Sequence, residues 1–187
     1  MSILDDTKRQ KREIRFRIRE LIGQLSEKQK EKEADAVFRK VESFPAFLQA
    51  KNILIYWSLP DELPTHTVAE KWAANKQILL PSVKGENLVI KKYSGKDGLK
   101  KGAFGIEEPL EDFDSRAFID LVIVPGVAFD KNKNRLGRGK GYYDRFLEKI
   151  DAPKIGVGFD CQLIEKLPVE KFDVRMNKVV VPSLIID

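Results

Sequence analysis

A chain of 187 residues, 42% of them hydrophobic, can bury a substantial core, and one domain over residues 1–187 is expected. No apolar run approaches the roughly 20 residues that span a bilayer, the charged N-terminus lacks the apolar stretch of a signal peptide, and the single cysteine, Cys161, forms neither an intrachain disulfide nor a thiolate metal cluster, so a cytoplasmic protein is expected. The net charge of +5 is local: residues 1–20 hold seven Lys/Arg against four acids and residues 131–145 hold six against one, which leaves −3 on the rest and suits a small polyanion better than a nucleic-acid track.

Ile14, Ile18, Leu21 and Leu25 recur at steps of four, three and four, which predicts an N-terminal helix. Ser26 followed by Gln29 is a capping-box pattern that restarts a second helix. Ala34, Val37, Phe38 and Val41 form its apolar stripe, and Pro45 lies beyond its end. Residues 52–57 read as a buried strand, and Thr65 is placed to cap a helix through Val68, Ala69 and Trp72. Short strands are predicted over 77–81 and 88–90, with a Gly- and Lys-rich loop over 94–105. Residues 121–124 are the most apolar strand. A helix over 142–150 and strands over 154–158 and 179–181 complete the pattern.

Strands alternate with helices, and several strands are continuous apolar runs. Both features point to an α/β fold, a three-layer α/β/α arrangement with a mostly parallel central sheet and an N-terminal helical pair. Ligands of such sheets bind beyond the carboxyl ends of the strands, where the 58–65 and 126–141 segments fall.

The run Arg135-Leu136-Gly137-Arg138-Gly139-Lys140-Gly141-Tyr142-Tyr143-Asp144 is the most distinctive stretch. Glycines let backbone N–H groups approach a ligand, and interleaved cations suit an anion. A strand before the loop and a helix after it complete a plausible phosphate site. The plain alternative is a solvated surface loop. Neither a Walker A pattern nor a dinucleotide fingerprint is present, because Lys140 is followed by Gly141 and the glycines run Gly-x-Gly-x-Gly. Adjacent tyrosines at a helix start can place one ring in the core and the other over a ligand. His66 and Cys161 read as structural, and a zinc site has no support without a second histidine. Trp57 reads as core.

Val124-Pro125-Gly126-Val127-Ala128-Phe129-Asp130 leads into this run. Elsewhere stand Lys11-Arg12-Glu13-Ile14-Arg15, Asp61-Glu62-Leu63-Pro64-Thr65, Gly105-Ile106-Glu107-Glu108-Pro109 and a later acid, Asp173. Together these motifs resemble those of the 5-formyltetrahydrofolate cyclo-ligase (methenyltetrahydrofolate synthetase) family, over nearly the whole chain. Two places depart from the family pattern: Asn177 stands where many relatives carry a second acid, and the ending Val181-Pro182-Ser183 lacks a threonine.

The resemblance implies an ATP- and Mg²⁺-dependent conversion of 5-formyltetrahydrofolate to 5,10-methenyltetrahydrofolate, ADP and phosphate, by a monomer that acts on a small-molecule folate without nucleic acid or membrane. It implies that Lys11, Arg12 and Arg15 contact ATP, and that Arg135, Leu136, Gly137, Arg138, Gly139, Lys140, Gly141, Tyr142 and Tyr143 hold it. Arg138 and Lys140 would act on the transferred γ-phosphate, and Asp144 and Asp173 would hold Mg²⁺. Glu62 and Phe104, with Arg138, Gly139, Lys140, Gly141 and Tyr142, would contact the folate. The competing readings are an ATP-using relative with another substrate, and a basic nucleic-acid-binding module on residues 8–19. For Lys11 and Arg15 the plain reading is a solvated helix face.

Overall fold

Two long helices open the chain. The computed structural model, which describes residues 3–101, 107–109 and 119–187, places α1 over Ile3–Gly23 and α2 over Glu27–Glu42. The capping box between them forms as the sequence predicts. Ser26 Oγ accepts from the Gln29 amide, and Gln29 Oε1 accepts from the Ser26 amide at 2.8 Å. Both bonds satisfy donors that a helix start leaves open. α1 buries Ile18 and Ile22, and α2 buries Ala34, Val37, Phe38 and Val41. Pro45 does more than follow α2: it opens a short third helix, α3 (Pro45–Gln49), at a position where its missing N–H costs nothing.

β1 (Asn52–Leu54), α4 (His66–Ala73) and β2 (Gln77–Lys84) form a parallel crossover unit. Regular pairing in the first strand ends at Leu54, although residues 55–57 stay buried and the Ile55 amide still donates to the Leu79 carbonyl at 2.9 Å. Thr65 occupies the N-cap position of α4, but its side chain does not cap the helix. Its hydroxyl donates to the Tyr56 carbonyl at 2.7 Å and accepts from the Ser58 amide at 3.0 Å, so it closes the loop after β1 instead.

β2 turns at Gly85, which has a positive φ of 61°, into antiparallel β3 (Asn87–Lys92). The segment expected as a loop over 94–105 contains regular structure: a 3₁₀ turn at Lys96–Gly98 and β4 (Leu99–Lys101), which pairs with β5 (Glu107–Pro109). β6 (Leu121–Pro125) is buried throughout. The expected 126–141 loop also contains a hairpin, β7 (Ala128–Asp130) and β8 (Arg135–Leu136). α5 spans Tyr142–Leu147 and then loosens into turns, so it is shorter than the predicted 142–150 helix. β9 (Lys154–Val157), β10 (Leu163–Ile164), β11 (Lys178–Val180) and β12 (Ile185–Ile186) complete the chain.

The main sheet has the order β12-β11-β9-β6-β1-β2-β3. Its five inner strands are parallel, and β12 and β3 are antiparallel at the edges. Both faces are covered, which explains the unbroken apolar runs. Ile53, Ile78, Leu121, Ile123 and Ile155 pack with residues of the first four helices, while Leu54, Leu79, Val122, Val124 and Val179 pack with Phe146 and Leu147 of α5. These are the expected three layers, with the α-helices among the described residues distributed four to one.

β7 is seated by one ring. Phe129 is fully buried, and a Cβ on Gly156 would meet it at 2.5 Å, one on Gly126 at 2.6 Å and one on Gly158 at 3.3 Å. Three glycines at the carboxyl ends of β6 and β9 thus make the seat for Phe129. Gly156→Ala is expected to overpack this seat, with Met176 at 3.1 Å blocking retreat, and to cost about 1–3 kcal/mol as a lowered urea midpoint. An unchanged midpoint would contradict the close fit.

Candidate active site

The direction of strand addition reverses at the β1/β6 junction. From β1 the chain adds β2 on one side, and from β6 it adds β9 and then β11 on the other. Open α/β sheets bind ligands at such a point, beyond the strand ends. The loops that follow β1 and β6 meet there. Arg138 bridges them: its Nη2 donates to Asp61 Oδ1 at 2.5 Å, and its Nε and Nη2 donate to Glu62 Oε1 at 3.1 Å.

Beneath the glycine loop lies a framework of buried charges. Asp130 is fully buried and accepts four hydrogen bonds, from the Asn132, Asn134 and Leu167 amides and from Asn134 Nδ2, each at 2.9 Å. It fixes the β7–β8 turn, where Lys133 takes a positive φ of 65°. Arg135 is 5% exposed. Its Nη2 donates to Asp144 Oδ1 at 2.8 Å, its Nη1 to the Pro125 carbonyl at 3.3 Å, and its guanidinium lies 5.5 Å from the Tyr143 ring centre. A Cβ on Gly137 would meet Arg135 Nη1 at 2.9 Å, so the cation lies directly under the loop.

α1 packs its basic residues against this loop. Arg15 Nε donates to the Gly137 carbonyl at 2.8 Å, and its guanidinium lies 3.5 Å from where a Gly139 Cβ would stand. Burial lowers the Arg15 pKa, and the charges of Asp173 and Glu170 offset only part of that. Lys11 is buried, and its Nζ donates to Glu170 Oε2 and Asp173 Oδ2, both at 2.7 Å. This excludes a simple solvated face for α1. Gly139 and Gly141 adopt φ values of 106° and 67°, which other residues reach only with strain. Between α1, the loop and the 170–173 turn lies a cleft of about 560 Å³.

The loop has two sides. Gly137, Gly139 and Gly141 line the cleft together with Lys11, Arg12 and Arg15, whereas Arg138, Lys140, Tyr142 and Tyr143 do not. Arg138 faces Asp61 and Glu62. Lys140 Nζ lies 6.0 Å from the Tyr142 ring centre, and Tyr142 Oη donates to the Gly85 carbonyl at 3.5 Å. Tyr143, partly buried, packs against the second apolar cluster, which is the core half of the expected division of the tyrosine pair. Arg135, expected among the ligand contacts, lies below the loop, and Leu136 lines the cleft beside it.

Glu62 is mostly buried, with 12% of its side chain exposed. Burial pushes its carboxyl above the usual range, against the pull of the Leu59 amide and Arg138. For Asp61 burial acts in the same direction, but the Arg138 guanidinium prevails and the carboxyl titrates below its usual range. Burial and Glu62 both raise Tyr143.

Asp144 and Asp173 line the same cleft. Each spends one carboxylate oxygen: Asp144 Oδ1 on Arg135 and the Val174 amide, and Asp173 Oδ2 on Lys11 and the Glu170 amide. Their other oxygens make no hydrogen bond among the described residues. No group of three or more candidate metal ligands occurs among those residues. Asn177 is turned to the sheet, where its Oδ1 accepts from the Lys154 amide at 2.8 Å.

Sequence reasoning missed Glu170, although its spacing from Asp173 allows both to meet one lysine. It also missed Asp130, whose place after an apolar strand before Asn132 and Asn134 is an Asx-turn signal. Lys30, buried on α2, holds the Pro60 carbonyl at 3.0 Å, and no sequence pattern announces that. Phe104 lies outside the described residues. His66 stacks on buried Trp57 with ring centres 4.1 Å apart, a structural role for both. Cys161 is half-buried rather than buried, and burial pushes its thiol up to about 11.

Comparison with known proteins follows the same lines. Residues 7–182 match the model of the 5-formyltetrahydrofolate cyclo-ligase family. The 5-formyltetrahydrofolate cyclo-ligase of Escherichia coli (strain K12) is 32% identical over 176 residues, covering 89% of this chain and 97% of that one. The Haemophilus influenzae enzyme of the same name is 31% identical, with coverage of 91% and 97%. Among solved structures, the 5,10-methenyltetrahydrofolate synthetase of Aquifex aeolicus superposes with a TM-score of 0.85 at 31% identity, covering 94% of this chain and 91% of that one.

Two outcomes test the charge framework. Asp144→Ala leaves Arg135 buried without its carboxylate, and a loss of about 3–5 kcal/mol in urea unfolding is expected; a loss near zero would show that Arg135 is stabilised otherwise. For Glu62 the folded pKa is raised, so the folded state binds the proton more tightly, and this group's contribution falls as pH rises from its unfolded value through the raised one. Wild type should therefore lose stability relative to Glu62→Gln as pH rises from the ordinary glutamate range toward neutrality, and a difference that stays flat over that rise would refute the shift.

Proposed function

The chain belongs to the 5-formyltetrahydrofolate cyclo-ligase family, and we propose that it makes 5,10-methenyltetrahydrofolate with the glycine loop as the shared wall of a nucleotide cleft and a folate site. One observation carries this reading. The loop turns its glycine backbone to the cationic cleft and its Arg138 to Glu62 on the other side.

The chemistry needs such a wall. The N5 formyl group is an amide, with a poor electrophilic carbon and an oxygen that leaves badly. Transfer of the γ-phosphoryl group of ATP to that oxygen cures both faults and releases ADP. N10 of the folate then attacks the formyl carbon, N10 loses its proton, the carbon–oxygen bond breaks and phosphate departs. No side-chain nucleophile is required. The protein supplies position and charge, the principal means of phosphoryl-transfer catalysis.

Lys11, Arg12 and Arg15 would meet the nucleotide's phosphates from α1, with the amides of residues 137–141 opposite. Arg138 and Lys140 would reach the transferred group from the folate side. Glu62 would accept N–H donors of the pterin, in competition with Arg138, and Tyr142 would pack on the substrate's rings. Asp144 and Asp173 suit Mg²⁺, which takes few carboxylates and completes its shell with phosphates and water. When bound, the ion would neutralise phosphate charge. The reading is of a cytoplasmic monomer that uses a small-molecule folate, and no helix among the described residues is long and apolar enough to cross a membrane.

Mixing the protein with Mg·ATP and 5-formyltetrahydrofolate should raise the near-ultraviolet absorbance of the methenyl product, and no ATP-dependent rise would overturn the reading. Lys140→Ala should lower turnover about a hundredfold with little change in melting temperature, because an exposed loop cation packs little. An unchanged rate with reduced melting temperature would contradict its role.

A further inference from the structure

Phe172 is 66% exposed, one of five large hydrophobic side chains left in solvent among the described residues. Of those five it alone lines the cleft of Lys11, Arg15 and the glycine loop. A solitary exposed apolar residue is ordinary, but a phenylalanine at the mouth of a cationic cleft is placed to meet a ligand with an anionic part and a flat part.

The ring stands on a fixed base. The Asp173 amide donates to the Glu170 carbonyl at 3.0 Å, and the Glu170 amide donates back to Asp173 Oδ2 at 2.7 Å. Both acids also hold Lys11 at 2.7 Å. Phe172 is therefore carried on a turn locked on either side of it, with Lys11 Nζ 5.9 Å from its ring centre. Val169, 53% exposed, extends the apolar surface of the same segment.

We propose that Phe172 is the stacking platform for the nucleotide's base, with the phosphates running inward to the glycine loop. The proposal rests on the nucleotide reading of the cleft and deepens it. A phenyl ring offers a π-face and no hydrogen-bonding edge, so it reads flatness rather than base identity. Selection at this point favours purines, with their larger faces, over pyrimidines.

The test separates base from phosphate. Binding of ADP and of inorganic tripolyphosphate is measured by calorimetry on the wild-type protein, Phe172→Ala and Phe172→Tyr. The Ala variant should bind ADP about tenfold more weakly and tripolyphosphate within about twofold of wild type, and the Tyr variant should restore ADP binding. In Phe172→Trp, ADP should quench the new indole's fluorescence beyond the quench that tripolyphosphate gives. Equal losses for both ligands in Phe172→Ala, or no loss for either, overturn the platform while leaving the nucleotide cleft intact. If wild-type protein binds neither ADP nor tripolyphosphate, the cleft reading itself fails and the platform fails with it.

Discussion

Arg135 is the charge on which the site depends. A guanidinium sealed beneath a backbone loop is costly unless its surroundings answer it. Here Asp144 answers from the first turn of α5, the Pro125 carbonyl answers from the end of β6, and the Tyr143 ring lies alongside. The strand that enters the loop, the helix that leaves it and the central strand of the sheet thereby meet at one side chain. The glycine loop passes over this junction too closely for a Cβ at residue 137. Its backbone can be held open toward the cleft because its footing is a buried charge held by Asp144 and the Pro125 carbonyl.

Charge neutralisation continues outward. Lys11 is shared by Glu170 and Asp173, and Arg138 by Asp61 and Glu62. Lys11 and Arg138 thus have carboxylate partners in the ligand-free fold, whereas Arg15 gives its Nε to the Gly137 carbonyl. On the proposed reading, a polyanion that meets these two cations exchanges partners with their carboxylates. That arrangement limits repulsion in the ligand-free fold, and on the proposed reading affinity for the anion would depend on how well the carboxylates are resettled, on metal or on substrate.

Much of the layer structure was legible in the sequence because period and apolarity report on burial. The stripe of α2, the capping box at Ser26 and the unbroken apolar run of β6 each carried a direct physical signal. The cleft residues were legible chiefly as a motif, although Lys11 stands three residues before Ile14 and seven before Ile18, on the apolar stripe of α1, which sets it apart from the exposed Lys8. What escaped was tertiary. The β7–β8 hairpin is too short for alternation to show, and its strands are fixed by Phe129 against three glycines and by the four hydrogen bonds of Asp130. Thr65 looked like a helix cap because local spacing allows it, but its hydroxyl oxygen accepts from the Ser58 amide instead of a helix amide and its proton goes to the Tyr56 carbonyl. The two-sidedness of the loop was hidden as well, since a run of Gly-Arg-Gly-Lys-Gly does not say which way each residue points.

The ion triad of Lys11 with Glu170 and Asp173 joins positions 159 and 162 residues apart. On a ribosome the two acids follow the lysine by roughly ten to thirty seconds at ordinary elongation rates. α1 can form early from local contacts, yet throughout that interval Lys11 lacks the two carboxylates that later hold it and its cleft has no far wall. The enzyme's first helix is thus a provisional element during synthesis, committed only when the penultimate strand approaches. A chain arrested before Glu170 would carry both long helices and the glycine loop but not the wall of the cleft that Glu170 and Asp173 supply.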